Sequence, residues 1–348
     1  MMAFSLSPWA EILYGIIGVA LVLYVLTGGA DLGAGLWSLL AFGPRKSEQR
    51  RAIHEAIAPI WEANHVWLIF VIVVMFSAFP RAFAVISVAL HIPLALALVG
   101  IVLRGAGFVF HTYGLRDGRE RATWERVFAW ASLATPLMLG TIVGGISSGD
   151  IHVTDRVVTT GFLAGWTTLF SAMAGLFALA LCALLAAVYL TADTEGAIRD
   201  DFRKRAIIAE IATGPFAMLV LLGAYFDAPT LFKALSTSPW TWPVQLGTAA
   251  AAVATLGLLI RRRVAAARFT AALQIGLVVL GWGLAMQKHF VIPHVSLYNA
   301  GSQPAVLPWL IAGTLGGSLL LVPALVYLYR VFKLGSPKAV ASSNRQDD

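Results

Sequence analysis

An acid, an amide and an imidazole lie together inside an apolar stretch near the start of the chain. They are Glu62, Asn64 and His65, within the segment Trp-Glu-Ala-Asn-His-Val-Trp-Leu at 61–68. A carboxylate near the middle of a bilayer costs roughly 3 kcal/mol or more unless it is paired, hydrated or protonated, so an acid in such a place indicates a function. Glu62 could bind and release a proton, and its nearest candidate partner is the acid Asp31.

The composition is that of a protein with many membrane spans. The chain has 348 residues, of which 59% are hydrophobic and only 12% charged, and its mean hydropathy is +0.79. Soluble proteins carry about 25% charged residues. The net charge of +7 lies in short loops, so no nucleic acid partner is expected. The one cysteine, Cys182, excludes a disulfide framework and a zinc or iron-sulfur site built on cysteines.

Nine stretches are long and apolar enough to span a bilayer, which takes about 20 residues. We therefore predict an all-α polytopic membrane protein with one integral membrane domain, residues 1–335, and a polar cytoplasmic tail, residues 336–348. The predicted helices lie near 10–41, 53–79, 81–112, 124–147, 159–192, 204–226, 242–260, 268–288 and 305–332.

Lysine and arginine set the predicted orientation. One side of the membrane receives only Arg81, Arg156, Lys233 and Lys288, and the rest, Arg104 among them, are assigned to loops or the tail on the other side. Basic loops mark the cytoplasmic face. The N-terminus is therefore predicted to lie outside and the C-terminus in the cytoplasm.

This orientation places Asp31 and Glu62 at similar depths in the cytoplasmic half. Asp31 lies about 15 Å before the end of the first span and Glu62 about 13 Å past the start of the second, at about 1.5 Å per residue. The two acids could share a proton drawn from the cytoplasm. Alternatively, both acids only hold helices together or face a partner subunit.

Small and aromatic residues around the acids indicate close helix packing. Gly29 and Gly33 form a GxxxG pattern, which is typical of helix association. Trp61, Asn64 and Trp67 are predicted packing or interface residues. His65 stands three residues after Glu62 and could orient or partly neutralise it.

Two motifs, in order, carry a family resemblance. Thr-Gly-Gly-Ala-Asp-Leu-Gly-Ala-Gly at 27–35, followed by Ala-Pro-Ile-Trp-Glu-Ala-Asn-His-Val-Trp-Leu-Ile at 58–69, resembles subunit II of cytochrome bd-type terminal (quinol) oxidases. The nine spans, the outside N-terminus and Phe-Val-Ile-Pro at 290–293 agree with it. The resemblance covers most of the chain by architecture and the first eighty residues in detail.

The resemblance implies a haem-free subunit in a heterodimer of the bacterial cytoplasmic membrane. Its partner, subunit I, would carry haems of b and d type and reduce oxygen to water with electrons from a quinol. The implied fold is two four-helix bundles plus one extra helix. Glu62 occupies the position of an acid on a route for cytoplasmic protons, which would also include Asp31 and His65. A small accessory subunit and a bound quinone or membrane lipid are further expectations.

The chain departs from the family pattern at both motifs. Gly28 stands where members often have an acid, Glu62 replaces an aspartate, and His65 replaces another polar residue. The chain therefore resembles a divergent branch, in which oxygen as acceptor is more secure than quinol as donor, and His65 could compensate for the acid missing at 28.

Two other interpretations stay open from the sequence. One is a self-contained proton-coupled secondary transporter that uses Glu62 and Asp31. The other is a b-type cytochrome with His91 or His65 as a haem ligand; His91 is placed about eleven residues into the third span, near Pro93. No haem ligand and no metal site is expected in this chain, because an intramembrane histidine more often bonds a neighbouring helix.

Overall fold

Long apolar helices account for most of the chain. The computed structural model describes residues 8–57, 61–114 and 118–331. Within these residues, eight helices are long and apolar enough to cross a membrane. A ninth crossing is present if Glu62–Ala78 and Pro80–Ala89, which are bent by 117° against each other, count as one broken span. The predicted polytopic all-α class is therefore confirmed.

The helices are α1 (Pro8–Leu39), α2 (Lys46–Ile57), α3 (Trp61–Asn64), α4 (Val66–Ala78), α5 (Pro80–Ala89), α6 (His91–Tyr113), α7 (Gly118–Ser148), α8 (Leu169–Asp193), α9 (Gly196–Asp227), α10 (Pro229–Thr237), α11 (Thr241–Ile260), α12 (Val264–Ala285), α13 (Leu297–Ala300) and α14 (Leu307–Tyr329). Two short antiparallel hairpins connect them, β1 (Val153–Thr154) with β2 (Val157–Val158) and β3 (His289–Val291) with β4 (Val295–Ser296).

The helices form two bundles that meet where α8 packs against α1 and α7. The first bundle contains α1, α4, α6 and α7, and the second contains α8, α9, α11 and α12. Residues 183–188 of α8 are all buried, because α8 has helices on several sides. The helix α14 is mostly exposed and touches only α1 and α4 among its larger contacts, so it is the extra helix. We call the end of the molecule that carries Arg45, Arg50 and Arg203 the basic end.

Glycines let α1 approach its neighbours closely. A methyl group at Gly33 would overlap the carbonyl group of Cys182 on α8, and one at Gly35 would overlap the side chain of Ser132 on α7. Gly29 has only ordinary contacts, with Leu185 at 3.4 Å from the position of such a methyl group. The predicted packing role is therefore strict at Gly33 and weaker at Gly29.

Three predicted spans have the wrong extent. The span 53–79 is broken, because the N–H of His65 donates to the carbonyl oxygen of Glu62 at 3.2 Å, a tight turn three residues long. The span 81–112 is broken at Leu90, since Pro93 has no N–H to donate to residue 89. The span 159–192 begins only at Leu169, because a hairpin and turns occupy the preceding residues.

Two further predictions concern the polar segments of the chain. The helix α2 is polar and ends before the apolar stretch, so the basic segment after α1 is helical where a loop was predicted. The predicted polar tail, residues 336–348, lies outside the described residues.

Candidate functional site

Asp31 is buried where α1 packs against its neighbours. The residue is only 7% exposed. The surrounding residues of α1, 28–29 and 32–35, are buried as well, and most of them are glycine or alanine. Because the backbone is held by α7 and α8 on both sides of this acid, the carboxyl group has a fixed position in the membrane interior.

Asn64 is the described hydrogen-bond donor to Asp31. Its Nδ2 atom donates to Oδ2 of Asp31 at 2.5 Å, and the residue is 1% exposed. A hydrogen bond to a charged acceptor contributes more than one between neutral groups. Asn64 is the last residue of α3, and its amide group faces α1. The amide predicted for packing is therefore part of the polar site.

Arg104 brings a positive charge into the same region. The prediction that Arg104 lies in a cytoplasmic loop is wrong, because the residue lies inside α6 and is 1% exposed. Its charge interacts with that of Asp31. The guanidinium carbon lies 5.5 Å from the centre of the Phe128 ring, while Nε and Nη2 have no hydrogen-bond partner among the described residues. A buried charge of this kind needs a counter-charge.

Tyr24 and His65 complete the buried site. Their ring centres are 6.0 Å apart, and the charge of Arg104 acts on both side chains. Within the part of the chain that the structure describes, the hydroxyl group of Tyr24 and Nδ1 of His65 have no hydrogen-bond partner. Water is the usual partner of such buried atoms. His65 was predicted to orient Glu62, but its described ring contact is with Tyr24.

Glu62 lies on the surface of the chain. The residue is exposed, and no contact with Asp31 is described for it. The prediction that Glu62 pairs with Asp31 is therefore wrong. Asn64, two residues further along the chain, is the residue that bonds to Asp31. Trp67 is half-buried and packs against the core of the first bundle. The side chain of Trp61 lies outside the described part of the structure.

Aromatic rings close the site towards the basic end. Phe128 contacts both Arg104 and His54 of α2, and the ring centres of Phe128 and His54 are 5.3 Å apart. His54 also stacks on His111 at 4.2 Å. Burial, followed by the nearby His111, Arg121 and Arg50, lowers the pKa of His54 to about 3, so this imidazole is neutral at neutral pH. Beside it, Arg50 forms an ion pair with Glu125 at 2.8 Å.

His91 is not placed as predicted. It is the first residue of α6 and exposed, and its Nδ1 atom lies 2.9 Å from the carbonyl oxygen of Val88. The predicted position eleven residues inside a span was wrong, because the helix breaks at Leu90. Among the described residues, no group of three or more histidine, cysteine, aspartate or glutamate side chains could hold a metal ion.

Arg104 and Tyr24 are the site residues that the sequence analysis missed. Arg104 carried a usable signal, because it lies eight residues inside the predicted span 81–112 and an arginine in a span indicates function. Tyr24 has no such signal, since a tyrosine in an apolar helix is ordinary. The structure brings Asp31, Asn64, His65, Arg104 and Tyr24 together and leaves Glu62 outside them.

Comparisons with known proteins agree on one family. A family model described as cytochrome bd terminal oxidase subunit II matches residues 9–332. The cytochrome bd-I ubiquinol oxidase subunit 2 of Escherichia coli K12 is 28% identical over 205 residues, 57% of this chain and 52% of that relative. This match therefore spans only half the relative's length. A putative cytochrome bd menaquinol oxidase subunit II of Bacillus subtilis is 22% identical over 344 residues, 94% of this chain and 96% of that relative.

A solved structure has the same fold. A chain of the bd oxidase from Geobacillus thermodenitrificans aligns with a TM-score of 0.77 and 23% identity, and the alignment covers 93% of this chain and 98% of the other.

Proposed function

The chain belongs to the subunit II family of cytochrome bd terminal oxidases, and we propose on that basis that it assembles with a haem-bearing subunit I in a bacterial cytoplasmic membrane. The complex would pass electrons from a quinol to oxygen and form water. The names of relatives from Escherichia coli and Bacillus subtilis, a ubiquinol and a menaquinol oxidase, support a quinol as the donor. The chain itself is a multi-pass membrane protein that is part of an oxidoreductase complex.

The exposed acid on an apolar surface is the observation that carries this proposal. Glu62 precedes α4, whose residues Ile69, Val73 and Phe76 are 59%, 55% and 61% exposed. Lipid would suit these apolar side chains but leave an ionised Glu62 at a cost of roughly 3 kcal/mol. A partner subunit that covers this face would bury the apolar side chains and supply polar partners for the acid. We assign the face to the haem-bearing subunit.

The one-turn helix α3 presents polar groups on both sides. Glu62 is exposed towards the proposed partner, and Asn64 donates to the buried Asp31. Reduction of oxygen to water consumes protons, which must reach the oxygen site through groups that bind and release them. We propose that Glu62, His65 and Asp31 serve this transfer and that Arg104 and Asn64 keep the carboxylate of Asp31 in place. The protons would come from the cytoplasm if the predicted orientation holds.

The haems belong to the partner in this proposal. The exposed position of His91 at the start of α6 and the ring contact of His65 with Tyr24 support this assignment. The role of this chain is then to stabilise subunit I and to supply part of the proton route. A small accessory subunit and a bound quinone or lipid are compatible additions.

Substitution of Glu62 tests the proton role. In the purified complex, Glu62→Gln should slow quinol-driven oxygen consumption at least about tenfold, because an amide cannot carry a proton and proton transfer by a side chain typically contributes a hundredfold or more. Glu62→Asp should retain most activity, since it remains titratable. Haem content and recovery of both subunits should not change.

The matched control is Glu120→Gln, which neutralises an exposed glutamate in the first turn of α7. It should leave oxygen consumption as in the wild type. Equal rates for the wild type and Glu62→Gln would remove Glu62 from the proton route. Loss of the partner subunit in Glu62→Gln would instead show that this acid holds the complex together.

A further inference from the structure

A second buried acid lies in the other bundle, apart from the candidate site. Glu210 on α9 is 6% exposed, and Gln274 on α12 is 3% exposed. The Nε2 atom of Gln274 donates to Oε1 of Glu210 at 2.9 Å. This hydrogen bond joins two helices of the second bundle in the middle of their apolar lengths.

Two oxygen atoms of this pair have no hydrogen-bond partner in residues 8–57, 61–114 and 118–331, which the structure describes. They are Oε2 of Glu210 and Oε1 of Gln274, and both are buried. With Glu210 ionised, both atoms can only accept hydrogen bonds, so neither can satisfy the other. A buried acceptor without a donor costs about 1–3 kcal/mol. One proton on Oε2 of Glu210 turns that atom into a donor and leaves one donor for one acceptor.

No described basic side chain neutralises Glu210. Its surroundings act on it only through burial and through the hydrogen bond from Gln274. Arg205, about 7.5 Å away along α9 at 1.5 Å per residue, donates to Gln49 at 2.6 Å. Arg268, about 9 Å before Gln274 along α12, contacts Asp193 at 3.4 Å.

The remaining helices of the second bundle add no charge at this level. Near the basic end of the molecule, the ionisable side chains of α8 are Tyr189 and Asp193, and both contact Arg268. The helix α11 contains no acidic or basic residue. Glu210 therefore differs from Asp31, on which the buried positive charge of Arg104 acts. An ionised Glu210 would be a single buried charge, which is far more costly than a neutral carboxyl group.

We propose that Glu210 and Gln274 form a proton-binding site in the second bundle, in which Glu210 holds a proton on Oε2 in the resting complex. The proton converts the carboxylate into a neutral carboxyl group, and no other bond forms or breaks. The neutral acid and the amide then tie α9 to α12. This site is separate from the proposed proton route, which lies in the first bundle.

Infrared spectroscopy of the purified complex tests the protonation state directly. A protonated carboxyl group has a C=O stretching band well separated from the bands of a carboxylate. The difference between the wild type and Glu210→Gln at neutral pH should contain one carboxyl band that the variant has lost. Glu120→Gln, at an exposed position, should show the loss of carboxylate bands only. Loss of carboxylate bands in Glu210→Gln would overturn the proposal.

A second variant tests the partner and does not depend on the first. Gln274→Met keeps the volume of the side chain and leaves Glu210 in place. The carboxyl band should persist and move to higher frequency, because the hydrogen bond from Gln274 is lost. A spectrum identical to that of the wild type would show that the carboxyl group is not bound to Gln274, and the proposal would fail.

Discussion

Removal of the positive charge of Arg104 tests the electrostatic balance of the candidate site. Arg104→Met keeps an unbranched apolar stem in α6 but removes the buried positive charge that acts on Asp31. Breaking a buried charge pair costs about 3–5 kcal/mol. We expect the lower end of this range, about 3 kcal/mol, because Asn64 still donates to Asp31.

The paired substitution separates charge from packing. Asp31→Asn in the Arg104→Met background removes both charges and keeps the shape of residue 31. The double variant should lie within about 1 kcal/mol of the wild type. Asp31→Asn alone leaves the buried charge of Arg104 behind and should also cost about 3 kcal/mol, so the double variant should be about 5 kcal/mol more stable than the sum of the two single variants. The assay is unfolding of the purified complex in mixed micelles of increasing SDS content, followed by the loss of helical circular dichroism.

Arg126→Met is the control, since this arginine is exposed near the basic end and should matter by no more than about 0.5 kcal/mol. The reasoning is refuted if Arg104→Met unfolds like the wild type. It is also refuted if the double variant is as unstable as the sum of the single variants, because the two charges would then act independently.

Two further predictions concern packing and pH. Gly33→Leu should abolish recovery of the complex, since the new side chain would overlap the carbonyl group of Cys182. Gly18→Leu, at a position with open space, should be recovered like the wild type. Equal recovery of both variants would contradict the close packing of α1 on α8. Acid should destabilise the protein through His54, because burial lowers its pKa to about 3 and the unfolded chain takes up a proton there below about pH 6.5. Stability should therefore fall as pH falls from about 6.5 towards 3, by about 2 kcal/mol at pH 5, and the same SDS titration at two pH values should show a smaller fall in His54→Phe.

The class of the protein and most of its helices could be predicted because they depend on local composition. A continuous apolar stretch predicts a span wherever the chain must hide its backbone from lipid. The breaks at His65 and Leu90 could not be located in this way, since an apolar stretch continues beyond each of them. Each break depends on a local bond, the tight turn onto Glu62 or the missing N–H of Pro93.

The members of the polar site could be predicted only in part. Asp31 and Asn64 were identified as polar residues in apolar helices, but which side chain meets Asp31 depends on how the helices pack. Asn64 faces α1 while Glu62 is exposed, because side chains two residues apart point about 200° away from each other around a helix. Arg104 was misplaced because every arginine was taken to lie in a loop or in the tail. Its partner on another helix is a matter of tertiary packing, which spacing in the sequence does not contain.

The absorption spectrum of the complex purified through a tag on this chain tests whether the chain assembles with a haem-bearing subunit I. We predict that a haem-bearing membrane subunit is recovered with the chain, that the complex shows haem bands which respond to quinol and oxygen, and that the haem stays with the partner when the subunits are separated. A chain that is recovered alone and stable, without haem or partner, would contradict the account. Haem that remains on this chain after separation would contradict the assignment of the haems to subunit I.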